Sequence, residues 1–489
     1  MMFGLLTCLF LWPCSFFCKE VPVPIHHFVS DTSPYKGHKN CHWEKWKLSN
    51  GLSLLLIHDI RLGASECYFG LSVPAGAVDD PSYAPGTAHL LAHLIGDTFG
   101  PELDFEIGLH STLFKLRSEW EPFSSDLSRF LSLIHHDSFC PFDPTGKMPA
   151  LHEIEAERHF SSQQDAFHLW STLLNQLQIT QDRNSYGFEN VVADNLQRAS
   201  QLRQWFDCYY TAEESSCIVS TPKPLSEVRN VILEILSGMR QKTMRRPKRE
   251  IWKCNKSAFL FLEMQKGTRS LSCIWPFLEK EFSEKQHPLY LLTTVMEGLT
   301  LQLRDLKWAT SCQAHLEPLG YQLPTLFCIR IDLTEKGVQR WEGILSLIDQ
   351  FLSQAAQLKN EEIEALFSEL KKEESEQILT DFPWSIEKML KAFAKEPLQT
   401  FPLFAVSPLQ LDSHRYRASI QQLLDGHRIV LLGTNLSEWQ TIQKLSCLQA
   451  PKKDKGNPHN RFFFPNKPTI SHLSRQPLEY STCPRKDQK

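Results

Sequence analysis

Two histidines stand four residues apart in His89-Leu-Leu-Ala-His93. On a helix that spacing puts both side chains on one face. Two imidazoles placed so can hold one Zn2+ at about 2.0–2.1 Å each. A catalytic zinc also needs a third protein ligand, an open position for water and a base to take that water's proton. The inverted zinc frame H-x-x-E-H supplies two His ligands and the Glu base on one helical turn. Here Ala92 occupies the base position. Taken alone, such a pair is more often two packing or surface histidines than a metal site, and both readings stay open at this point.

Such a pair is useful only if strands and a helix hold it still. Pro85-Gly86 leads into a helical pattern over Ala88 to Ile95, which Gly96 is expected to stop. Upstream, Trp46-Lys-Leu-Ser-Asn-Gly51 reads as a strand ending in an Asn-Gly turn, with Leu52–Ile57 as its partner. Cys67–Val73 reads as another strand, and Ala75–Pro81 as a loop. Downstream come an amphipathic helix over Asp126–His136, a long helix over Glu153–Leu177, a strand at Cys217–Ser220 and a helix at Leu225–Met239. After a basic stretch, Lys242–Glu250, the alternation resumes. Strands are expected at 259–263, 270–275, 325–333 and 427–433, with helices at 287–306, 338–357 and 361–379. The fold class is α+β: two similar domains, each a mainly antiparallel sheet packed with helices on one face.

The chain has 489 residues, 42% of them hydrophobic and 22% charged, ordinary globular usage. Its net charge of −4 gives no basic field for nucleic acid. Residues 1–18 carry no charge and read as a signal peptide or apolar leader. Export or a periplasmic location is the expectation; anchoring by the leader is the other reading, although Pro13 and Ser15 weaken it as a span. No later segment is apolar enough to span a membrane. The expected layout is leader 1–18, zinc-motif domain 19–240, linker 241–250, second domain 251–475 and basic tail 476–489. Three of the 14 cysteines fall in the leader, and no CxxC pair is present. The remaining 11 are odd in number, so at least one thiol is free or pairs with another chain, and most read as buried free thiols.

The stretches Asn50-Gly-Leu-Ser-Leu-Leu-Leu-Ile57, Gly76-Ala-Val-Asp-Asp-Pro81 and Gly86-Thr-Ala-His89-Leu-Leu-Ala-His93 occur in that order. Together they resemble the opening of the insulinase/pitrilysin family of metallopeptidases: an NGL hairpin, an Asp-Pro loop, then G-x-A-H-x-x-E-H. Glu157, eight residues before Asp165-Ala166, resembles that family's third-ligand helix; Glu153 and Glu155 are alternative registers. Gln204–Tyr210, Asp332–Gly337 and Asn460–Asn466 resemble later family segments of the insulin-degrading-enzyme branch. The resemblance implies zinc ligands His89, His93 and Glu157. Asp332 and Thr334 read as a helix entry with a capping side chain.

Three departures shape the functional expectation. Ala92 cannot accept a proton, which implies loss of base catalysis, typically worth about 10²–10⁴-fold. The stretch between His93 and Glu157 is short for the family, and the strand after the zinc helix is expected to be missing. The chain is also about half the length of complete members of this branch. The resemblance therefore implies a homologue without catalysis that binds peptide or unfolded polypeptide, or partners a second half-length chain. The alternative is a zinc-dependent endopeptidase with residual or atypical activity. Whether the chain is an enzyme stays open on sequence alone.

Overall fold

The structure is a computed structural model. It describes residues 26–30, 41–59, 66–81, 84, 86–135, 153–160 except 155 and 158, 164–177, 179, 195–241, 257–264, 267–277, 288–319, 324–380, 390, 393 and 413–440. The leader, the 242–250 stretch, the 460–466 segment and the basic tail lie outside the described residues.

Seven strands form the first sheet: β1 (His26–Ser30), β2 (Cys41–Lys47), β3 (Ser53–Asp59), β4 (Glu66–Val73), β5 (Leu103–Ile107), β6 (Thr112–Glu119) and β7 (Ser216–Thr221). Their order is β1-β2-β3-β7-β4-β6-β5. Every pairing is antiparallel except β3 with β7. The Asn-Gly turn between β2 and β3 serves two ends. Gly51 takes a φ of +89°, which a side chain resists, and its backbone lies against Glu213. Asn50 donates through Nδ2 to the carbonyls of Leu236 (2.9 Å) and Met239 (3.1 Å), tying the turn to the end of the helix over Leu225–Ser237.

The helices of this unit cover one face of the sheet. They include α1 (Thr87–Phe99) and α2 (Trp120–His135). α2 turns Phe123, Leu127, Phe130, Leu131 and Ile134 into a single core with Phe69, Leu71, Phe114 and Trp205. Each such side chain contributes about 1.5–3 kcal/mol on burial. α2 starts earlier than its periodicity suggests, because Trp120 and Phe123 also pack inward.

The second sheet has the order β10-β11-β9-β12-β8, from β8 (Ala258–Glu263), β9 (Ser270–Phe277), β10 (Ala309–Pro318), β11 (Thr325–Leu333) and β12 (Ile429–Thr434). Only β12 with β8 is parallel. Alternate residues of β11 serve two cores. Phe327, Ile329 and Ile331 face this unit's own helices, among them Trp341–Ala356 and Ser413–Asp425. Leu326 and Cys328 face the opposite way, where α3 (Asp165–Gln176) packs with Leu169, Leu173 and Leu174. Thr334 caps the helix that follows β11, its hydroxyl accepting from the Gly337 N–H at 3.0 Å.

The helix expected over 287–306 is two, Tyr290–Thr294 and Glu297–Asp305, and three more sequence expectations need correction. Gly96 does not end the histidine helix; α1 runs to Phe99, and Gly100 caps it. Gly96 is a contact point instead, since a Cβ there would sit 2.6 Å from Phe105 of β5. The strand expected to be missing is present: β5 follows α1 after a short turn and forms the sheet edge. Finally, Glu153–Leu177 is not one helix. Gln164 is non-helical, and a new helix begins at Asp165, whose carboxylate accepts from the Thr268 hydroxyl of the second unit. An acidic residue in a first turn favours that new start.

Candidate metal centre

The loop before α1 fixes where the two histidines begin. Asp80 accepts the backbone N–H groups of Gly86 (2.6 Å) and Ala88 (2.8 Å), two donors a helix start would otherwise leave open. Asp79 accepts from the Gly76 N–H at 3.0 Å, and its own carbonyl accepts from Trp205 Nε1 at 2.9 Å. From this start α1 is buried throughout except at Asp97 and Thr98. Such burial holds both imidazoles in place without any ligand.

His89 and His93 share one face, with ring centroids 4.8 Å apart. Phe105 of β5 meets the His93 ring edge-to-face at 4.9 Å. The helical residues near 157 bring Glu157 to the pair. Its Oε2 lies 3.1 Å from His89 Nε2, and its Oε1 lies 3.5 Å from His93 Nε2. The two Nε2 atoms are 3.0 Å apart. The three residues therefore offer ligand atoms that all lie within 4.8 Å of one another. For ligands 2.0–2.1 Å from a tetrahedral ion, neighbouring donor atoms sit about 3.3 Å apart. The 3.0 Å between the two Nε2 atoms is near that spacing, and the two Glu157 oxygens approach them at 3.1 and 3.5 Å, one oxygen to each ring.

The electrostatics suit a cation as well. Burial pushes the His89 imidazole below its ordinary value, with the Glu157 hydrogen bond working the other way. Burial works to raise the Glu157 carboxyl, but hydrogen bonds and charge from His89 and His93 outweigh it and bring it down to about 2. Near neutral pH this leaves His89 uncharged and Glu157 ionised, the forms in which they coordinate metal.

Of the carboxylates considered on sequence, Glu157 reaches the pair on its Nε2 side. Glu153 reaches His93 from behind, its Oε2 3.2 Å from Nδ1, with a side chain 59% exposed against 20% for Glu157. Glu155 lies outside the described residues. Ala92 is fully buried in the apolar core beneath the pair. Asp80 and Phe105 were not singled out as site residues by sequence reasoning. An Asp shortly before a helix start is a signal for the first. The second depends on strand pairing that spacing does not reveal.

Residues 198–373 match the family model described as "Peptidase M16 inactive domain". The fold is similar to that of pitrilysin, with a TM-score of 0.72 at 14% identity, covering 88% of this chain and 51% of that one. The matched segment is thus similar to an M16 peptidase domain, and the fold is that of insulinase/pitrilysin (M16) proteins. It is also similar to the first half of the periplasmic protease PqqL from Escherichia coli (TM-score 0.61, 13% identity, 84% of this chain and 97% of that one). A peptidase M16 inactive domain from Pseudomonas fluorescens gives a TM-score of 0.62 at 14% identity, covering 81% of this chain and 98% of that one. No curated protein matches the chain. The chain thus spans about half the length of pitrilysin, and the family match begins beyond all three cluster residues. The mainly antiparallel two-sheet architecture is that of its M16 neighbours.

Proposed function

We propose that the chain is an M16 homologue that binds zinc through His89, His93 and Glu157 but does not hydrolyse peptides, acting instead as a peptide-binding or partner subunit. One observation carries this reading: a converged His–His–Glu trio lies beside a fully buried Ala92 at the general-base position. Zinc bound there supplies Lewis acidity and activation of water. This chain's residues supply the ligands and their orientation, but no proton acceptor on the helix turn where family members carry one. Glu153 does not replace it, because it touches Nδ1 on the opposite ring edge from the cluster. Similarity to a half-length PqqL structure supports a chain that works beside a second half, and export is proposed on the same footing.

The test is zinc content together with cleavage of an unstructured peptide by wild type and Ala92→Glu. The expected result is one bound zinc, no turnover by wild type, and chelator-sensitive turnover by Ala92→Glu once a complementary half is supplied. Chelator-sensitive turnover by the wild type would establish the second reading, residual proteolysis, which the intact trio favours. Metal-free protein after zinc exposure would remove both.

A further inference from the structure

The two ring nitrogens of His93 face different partners. Nε2 points into the cluster, 3.0 Å from His89 Nε2 and 3.5 Å from Glu157 Oε1. Nδ1 lies 3.2 Å from Glu153 Oε2. An ionised carboxylate only accepts hydrogen bonds, so the proton of this contact belongs to Nδ1. A neutral imidazole carries one N–H, for which Glu153 at Nδ1 (3.2 Å) and Glu157 at Nε2 (3.5 Å) compete; held on Nδ1, it leaves the Nε2 lone pair for a cation. Phe105 stands edge-to-face against the ring at 4.9 Å and restricts its rotation.

Glu153 and Glu157 are four residues apart, and the described residues around them are helical. That spacing places both carboxylates on one side of the helix. Each reaches a different edge of the same imidazole. The more buried one joins the ligand trio, and the more exposed one stands behind the ring. Carboxylates hydrogen-bonded to a metal-binding histidine in this way raise its basicity and hold its ring, and losing one typically costs 10–100-fold in metal affinity.

We propose that Glu153 is a positioning residue that fixes the Nδ1–H tautomer and the ring orientation of His93, and so preorganises Nε2 for the cation. This rests on the zinc-binding reading above, but one part of its test does not need zinc.

The experiment compares the full chain with Glu153→Ala and Glu153→Gln. It reads zinc affinity by competition with a chelating dye, the His93 tautomer by 15N-histidine NMR of the metal-free protein, and the thermal midpoint. Wild type should show His93 protonated at Nδ1. Glu153→Ala should shift the proton towards Nε2 and weaken zinc binding about 10–100-fold with an unchanged midpoint. Glu153→Gln keeps an oxygen that accepts from Nδ1–H and should restore most of the tautomer preference and part of the affinity. The proposal is overturned if Glu153→Ala leaves the tautomer unchanged, whatever happens to affinity. It is also overturned if affinity falls only in step with the thermal midpoint. If wild type binds no zinc, the functional reading fails, and the tautomer of the metal-free protein alone decides the role of Glu153.

Discussion

At the residue scale the cluster is polarised before any metal arrives. Glu157 is held ionised down to about pH 2, against an ordinary value of 4.5. A depressed folded value means its contribution to stability is present above the unfolded value and disappears as pH falls through the folded one. Chelator-treated protein should therefore lose stability between about pH 4.5 and about pH 2, and Glu157→Gln should flatten that part of the curve. A wild-type and variant pair with parallel denaturation midpoints across this range would contradict the assignment. His89→Ala should abolish zinc binding in a dialysis assay, because two ligands alone do not complete a protein zinc site. The histidine pair was readable from its spacing of four. The carboxylates were harder, because an acidic run offers several registers and only tertiary packing shows which one faces the imidazoles. Ala92 was legible in full, since a substitution in a short motif needs no structure to be seen.

At the element scale, α1 depends on what caps and backs it. Asp80 holds two of its opening N–H groups. Asp80→Ala should cost about 0.5–2 kcal/mol in chemical denaturation, as cap removal usually does, whereas an exposed change such as Glu361→Ala should leave stability within about 0.5 kcal/mol. Most strands were visible as β-branched and aromatic runs. β1, β5, β6 and β10 were not; Leu103–Glu119, for one, interleaves acidic, basic and glycine residues with its apolar ones, and only one face of each strand needs to be apolar. Gly96 misled in the opposite direction. Its backbone freedom suggested a helix end, but its small size is what the structure uses, to let α1 approach Phe105. The break at Gln164 was also missed, although Ser161, Ser162 and Asp165 around it are residues that favour a turn or a new helix start.

At the scale of the whole molecule, one apolar cluster ties the two sheets together. Leu169, Leu173 and Leu174 of α3 meet Leu326 and Cys328 of β11 and Ile429 and Leu431 of β12, with Leu109 from the first unit joining them. Leu174 is fully buried there. Leu174→Ala should cost about 2–5 kcal/mol in urea denaturation, the usual range for a cavity in a packed core. A cost below 1 kcal/mol would show that the sheets do not hold one another through this contact. The second partner of β11 comes from the far side of the 242–250 stretch, a distance no local pattern spans. Among the described residues no helix is long and apolar enough to cross a membrane.

The place of β7 in the first sheet carries a consequence for synthesis. It fills the slot between β3 and β4, yet it lies far downstream of both. Until Ser216–Thr221 leaves the ribosome, the sheet has two facing edges with unpaired N–H and C=O groups. At roughly 5–20 residues per second, the wait after β4 is on the order of ten seconds. Open strand edges are templates for association with other chains. The nascent protein therefore spends its most vulnerable interval with a gap at the centre of the sheet on which the histidine helix packs, and a chaperone bound during translation would protect that gap first.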